Sequence, residues 1–163
     1  MFNIGDHVVY PLHGAGTITA VESMEVMGVT QEYYVINILV GNLTVRVPTA
    51  NADRLGIRYT IDGAEAAKVV EFMAGQEVYE DTTSNWSKRY KDNMDRIASG
   101  NIHEVANIVK ALTVRDRRKS LSTGERKMLG TARHILSSEL SVVMGQDQRI
   151  IEESLINSIP VIE

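Results

Sequence analysis

Apolar and polar positions change their period near residue 62. Before it, short runs rich in β-branched and aromatic residues alternate with glycine-marked turns, which is the pattern of strands. Val8-Val9-Tyr10 stops at Pro11, and Gly14 and Gly16 punctuate a tight turn. Thr17–Val21 opens a strand reaching about Val26, and Gly28 marks the next turn. Tyr33–Val40 and Leu43–Val47 then read as a hairpin joined by a two-residue Gly41-Asn42 connection, with Pro48 ending the second strand. Within that strand Leu43, Val45 and Val47 share the inward parity, leaving Thr44 and Arg46 outside. Several short strands without intervening helices predict a small, strongly bent antiparallel sheet or barrel.

From Asp62 onward the period is helical. Asp62 can cap a helix with Ala66, Val69, Val70 and Met73 on one face, ending near Gly75 and either packing on the barrel or bridging to the C-terminal half. Residues 76–84 are polar and unperiodic, as expected of a linker. Four further helices are predicted. One starts after Asn85 and stops before Gly100. A second opens at Asn101 with Glu104 in capping-box spacing and carries Val105, Ile108, Val109 and Leu112 on one face. The third opens at Ser122 with Glu125, with Met128, Leu129, Ala132, Ile135, Leu136 and Leu140 inward, and a short fourth spans about Gln148 to Asn157. The fold class is therefore α+β, a small antiparallel sheet followed by an all-helical bundle. The expected division is 1–60, a bridging helix and linker over 61–84, and 85–163.

Charge adds a second division. Residues 1–85 hold 4 Lys+Arg against 11 Asp+Glu, residues 86–133 hold 12 against 5, and residues 134–163 hold 1 against 5. A mildly acidic chain thus carries a concentrated basic segment, opened by its one tryptophan, Trp86. Cations that neutralise phosphate beside an aromatic that can stack on or wedge into a base step point to a nucleic-acid surface. Two readings compete for Trp86. Its spacing with Tyr90, Met94 and Ile97 is that of a buried stripe, whereas a first-turn position lets a side chain project past the bundle. The cations at Lys88, Arg89 and Lys91, at Arg115–Lys119 and at Arg126 and Lys127 can form one surface or several unrelated solvated faces. Arg46 can equally be a solvated edge charge.

Other chemistry is sparse. The chain has no cysteine, which excludes disulfides and thiolate metal sites, and its four histidines lack metal-ligand spacing. His13-Gly14-Ala15-Gly16 lacks the Gly-Lys-Ser/Thr of a phosphate loop and reads as a turn. No catalytic, metal or cofactor site is expected. Neither a secretory signal nor an apolar run of membrane-spanning length is present, so the expectation is a soluble, cytoplasmic protein without membrane partners.

Four blocks in order resemble the CarD (CarD/CdnL) family of bacterial transcription regulators: Gly5-Asp6-His7-Val8-Val9-Tyr10-Pro11-Leu12-His13-Gly14, Leu43-Thr44-Val45-Arg46-Val47-Pro48, Asn85-Trp86-Ser87-Lys88-Arg89-Tyr90-Lys91-Asp92-Asn93, and Leu121-Ser122-Thr123-Gly124-Glu125-Arg126-Lys127-Met128-Leu129. The first two also resemble a module of transcription-repair coupling factors. The tryptophan block and the helices favour CarD proper. The resemblance implies a Tudor-like barrel that binds the RNA polymerase β-subunit lobe and a helical domain that contacts promoter DNA at the upstream edge of the bubble, stabilising the open complex, with no enzymatic activity and a nucleoid association through polymerase. It implies Arg46 as a polymerase contact, Trp86 as a minor-groove wedge, and Lys88, Arg89, Lys91 and Arg126 as DNA-backbone contacts. Some relatives carry arginine where this chain has Met24, and Gly130 falls inside the third predicted bundle helix. The rival readings are a polymerase-independent DNA-binding repressor and a protein adaptor without DNA contact.

Overall fold

A computed structural model describes residues 1–163. Its first part is a five-stranded antiparallel sheet of β1 (His7–Tyr10), β2 (Gly14–Val26), β3 (Val29–Ile38), β4 (Leu43–Pro48) and β5 (Arg58–Tyr59), in spatial order β4-β3-β2-β1-β5. The long strand β2 breaks register between Ile18 and Ala20, the bulge that a strand needs to bend. Gly16 lies where the sheet folds on itself: a Cβ there would sit 2.6 Å from the Asn37 carbonyl oxygen. The sheet encloses Phe2, Val8, Ile18, Tyr34, Ile36, Ile38 and Val47. Ala52 and Ile57, from the segment between β4 and β5, close the same core.

Two expectations about this part change. The hairpin between β3 and β4 is not a two-residue turn, because β3 stops at Ile38 and pairs there with Leu43 across the four residues Leu39–Asn42. Val40 turns back against the sheet core, and Gly41 and Asn42 take positive φ to return the chain. Leu43, expected inward, is 49% exposed because this end of the hairpin runs beyond the core, and along β4 only Val47 is fully buried. The tight two-residue turn instead lies at Met27-Gly28, between the paired Val26 and Val29.

Five helices follow: α1 (Gly63–Ala74), α2 (Trp86–Ala98), α3 (Ile102–Arg118), α4 (Thr123–Met144) and α5 (Gln148–Ser158). Asp62, Asn85 and Ser122 each accept the amide three residues on, at 2.8, 3.1 and 3.2 Å, so the sequence signals for those starts are met by the side chains themselves. At Asn101 the capping box does not form. Its side chain accepts from His103, while Glu104 pairs with Arg96 instead. The core joins α1, α3, α4 and α5 through Val69, Met73, Val105, Ile108, Val109, Leu112, Met128, Leu136, Leu140 and Leu155, with Ile97 from α2.

Helix α1, expected on the barrel or as a bridge, belongs to this helical core through Ala66, Val69 and Met73. The reason is that its apolar stripe meets the apolar face of α3. The segment after it carries no regular structure, yet it is strapped down. The Asn107 side chain exchanges hydrogen bonds with both the amide and carbonyl of Tyr79 at 2.9 Å, and Arg118 donates to Glu80 at 3.1 Å. Lys110 is fully buried, its ammonium donating to the carbonyls of Phe72 and Glu77 and lying 4.3 Å from the Phe72 ring centroid.

Candidate nucleic-acid interface

Trp86 is the first residue of α2, immediately after its Asn85 cap. Exposure along the apolar stripe falls with distance into the bundle. Trp86 is 44% exposed, Tyr90 and Met94 are partly buried against the core, and Ile97 is buried. At Trp86 the projecting reading holds, and the buried stripe begins further along the same helix, partly at Tyr90 and Met94 and fully at Ile97. The indole stacks on Tyr90 with centroids 5.3 Å apart and planes 24° from parallel. It also leans on the start of α4, where a Cβ at Gly124 would lie 3.4 Å from Trp86 Cζ2 and 3.6 Å from Tyr90 Cε2. The block around Trp86 and the block around Gly124, far apart in sequence, are therefore one surface. Tyr90, read from sequence only as a member of the stripe, is the side chain that supports the indole.

The cations divide by what they already bind. Lys88 is exposed beside Trp86 on the first turn of α2. Lys91 is exposed and pairs with Asp95 at 2.8 Å, which holds its ammonium above the usual lysine value through that hydrogen bond and the charge behind it. Arg89 is half-buried and donates through Nη1 to the Thr83 carbonyl at 2.6 Å, fastening the strap at the foot of α2. Just before it, hydrogen bonds from the Thr83 side chain and amide hold the Asp81 carboxyl below the usual range. Arg126, on the first turn of α4, has a 60% exposed side chain whose nearest carboxylate is Asp116 at 3.9 Å. Lys127 beside it is exposed.

The Arg115–Lys119 cluster does not join this surface as a unit. Arg117 donates to the carbonyls of Ile159, Pro160 and Ile156, and Arg118 to that of Ile162, so both clasp the C-terminal tail. Arg115 lies 3.7 Å from Glu125. What remains exposed near the two helix starts that meet at Trp86 is Lys88 and Lys91 on α2 and Arg126 and Lys127 on α4.

Arg46 sits on β4, half-exposed, and its Nε donates to Glu22 of β2 across β3 at 3.3 Å. Strand β4 is an edge of the sheet, so one side of its backbone has no partner strand. Met24 is two residues beyond Glu22 on β2 and offers no charge there. No three His, Asp or Glu side chains converge as metal ligands would, and no helix is long and apolar enough to cross a membrane.

Residues 68–156 match the family model described as "CarD, C-terminal domain", and residues 2–61 match that of the "CarD-like/TRCF RID domain". YdeB, a candidate transcription factor of Bacillus subtilis (strain 168), is 39% identical over 153 residues, spanning 93% of this chain and 98% of its own length. The solution structure of the 72-residue N-terminal domain of Myxococcus xanthus CarD is 27% identical with a TM-score of 0.32, covering 36% of this chain and 79% of that domain. With a matched β module, a matched helical module and a relative aligned almost end to end, the chain belongs to the CarD family of transcription regulators.

Proposed function

We propose that this regulator binds the β-subunit lobe of RNA polymerase through its sheet and places Trp86 in the minor groove at the upstream edge of the promoter bubble, stabilising the open complex. The observation that carries this reading is the exposed indole, held on Tyr90 at the start of a helix and flanked by Lys88, Lys91 and Arg126. A wedge must unstack a base step, which is favourable only where the duplex is already distorted, so it prefers a nascent fork to relaxed duplex. That differential binding is what shifts promoters toward the open state. The lysines and Arg126 contact the flanking phosphates. Arg89 contributes its remaining N–H groups while holding the strap.

On the polymerase side, β4 offers an edge for strand addition and Arg46 a charge beside it. Tethering through this domain makes weak, sequence-tolerant DNA contacts sufficient. The test is the lifetime of open complexes on one promoter, with the intact chain, with Trp86→Ala and without either. The intact chain is expected to lengthen the lifetime several-fold and Trp86→Ala to lose most of that effect while still binding polymerase. Tight binding to defined DNA sites without polymerase would favour a free-standing repressor, and polymerase binding with no effect of DNA would favour an adaptor.

A further inference from the structure

Arg58 and Glu139 join the sheet to the helices through a directional contact that is buried on the Glu139 side and partly exposed on the Arg58 side. Arg58, on the edge strand β5, donates from its two terminal nitrogens to the two carboxylate oxygens of Glu139 on α4, at 2.7 and 2.8 Å. Glu139 is completely buried and also accepts the Ile61 amide at 2.8 Å. The third nitrogen of Arg58, Nε, donates at 2.7 Å to the carbonyl of Gly100, at the corner between α2 and α3. A planar guanidinium bonded through all three nitrogens to α4 and to the corner between α2 and α3 has one orientation open to it. Beside this joint the Ala15 amide donates to Ser138 Oγ at 3.0 Å, and a Cβ at Gly14 would lie 2.7 Å from the same oxygen. Strand β2 and helix α4 therefore meet without slack.

The place of this contact relative to Trp86 gives it a second meaning. Helix α2 starts at Trp86 and ends at the corner whose carbonyl Arg58 grips, and the indole also rests on α4, so the joint is the root about which the whole helical core carries the indole as its tip. Thirteen residues make α2 about 20 Å long. A tilt of about 10° at the root then moves the ring by about 3.5 Å, roughly the rise of one base step. A wedge tied to polymerase at one end tolerates little such error. Apolar contact alone resists sliding poorly, whereas a partly buried, bidentate ion pair specifies one geometry even where it adds little net stability.

We infer that Arg58 and Glu139 are positioning residues that set the reach from β4 to Trp86, and with it the base step the indole enters. The inference rests on the wedge reading of Trp86. The chain has no cysteine, so Thr44→Cys on β4 and Ser87→Cys beside Trp86 allow two spin labels to report that reach directly. In the full chain, Arg58→Met with Glu139→Leu replaces the ion pair by apolar side chains of similar volume, and the Ile61 amide and Gly100 carbonyl lose their side-chain partners with it.

The double variant should stay folded at the assay temperature with a lowered melting temperature, and bind polymerase equally well. Its distance distribution should broaden, its extension of open-complex lifetime should fall several-fold, and permanganate reactivity at the upstream fork edge should spread over neighbouring bases. An unchanged distance distribution overturns the inference, as does a broadened one with undiminished lifetime extension. Should the double variant not fold, Glu139→Gln keeps the side-chain shape, removes the charge, and is read by the same two measurements. If the parent chain itself leaves open complexes unaltered, the wedge reading falls, while the spin-label distances still decide whether Arg58 and Glu139 fix the domain geometry.

Discussion

Trp86 lies nearly parallel to Tyr90 one helical turn further along α2, and the pair divides its surface unequally: the tyrosine faces the helical core, and the tryptophan stays 44% exposed. Gly124 meets the indole edge from the start of α4, where a Cβ would come into van der Waals contact with Cζ2 at 3.4 Å. The ring is therefore oriented by two contacts while much of its area remains in water. Such a side chain contributes orientation more than packing energy, which separates its removal from that of a core aromatic.

Trp86→Ala should lower stability by about 1 kcal/mol or less, against about 3 to 5 kcal/mol for truncating a core aromatic. Thermal melts followed by circular dichroism read this, alongside open-complex lifetimes that drop toward the level without protein. Trp86→Phe should keep part of the effect. A melt lowered as far as a core truncation would return Trp86 to a structural role.

Gly130 sits inside α4, where a Cβ would meet nothing within 4 Å. Gly130→Ala should therefore raise stability by up to about 1 kcal/mol through helix propensity alone. Urea midpoints give the answer. A loss of stability would show that the bare backbone at this point is needed by something the helix touches.

Salt dependence should distinguish the exposed cations from the committed ones. Lys88 and Arg126 are exposed, and Arg117 is tied to tail carbonyls. Binding of fork DNA by the polymerase complex, titrated over a range of salt, should lose about one unit of log-log slope for Lys88→Gln and for Arg126→Gln. Arg117→Gln should leave the slope alone and lower the melting temperature instead. Equal slopes for all three would argue against a phosphate role for the patch.

At the other end of the molecule, Arg46→Glu should abolish polymerase binding with little change in the melt, since both members of the Arg46–Glu22 pair are close to half exposed. Glu22→Gln frees the guanidinium and should leave affinity equal or higher. Calorimetric titration of polymerase with each variant checks this. Normal affinity in Arg46→Glu would make Arg46 an ordinary surface charge.

Lys110 predicts a pH dependence. Burial pushes its ammonium below the usual lysine value, with the Glu77 carboxylate opposing. The unfolded chain then holds this proton to higher pH than the folded one, so through the alkaline window below about pH 10.4 the unfolded state binds more protons and this group makes stability rise with pH. Lys110→Met should remove that rise from urea unfolding curves. It should also lower stability at neutral pH, because the Phe72 and Glu77 carbonyls lose their donor. Parallel pH profiles for variant and parent would show that the ammonium titrates normally.

Much of this architecture is legible along the chain because its signals are short-ranged. A cap is a contact within one turn, and Asp62, Asn85 and Ser122 fulfil theirs regardless of what the helices later meet. The inward faces of α3 and α4 follow from the helical period, and every position assigned inward on them is buried. Pro48 ends β4 as a residue without an amide hydrogen must near a strand end. The hairpin before it departs from its Gly-Asn signal because Val40 follows the core and not the turn rule: its side chain closes the sheet from a loop.

Tertiary structure decided the rest. Periodicity tells which side of α2 is apolar, but not where the neighbouring helices stop, and it is that end point which buries Ile97 and leaves Trp86 in water. Charge counting places twelve cations in residues 86–133, yet it does not tell Lys88 from Arg117, whose carbonyl partners lie about forty residues away in the tail, or from Lys110, which is buried. Arg58 and Glu139 are 81 residues apart and carry no pattern that distinguishes them from solvated charges. Their pairing exists only once the sheet and the helices have closed on each other, because attraction between distant groups is felt only after chain entropy has been overcome and water excluded.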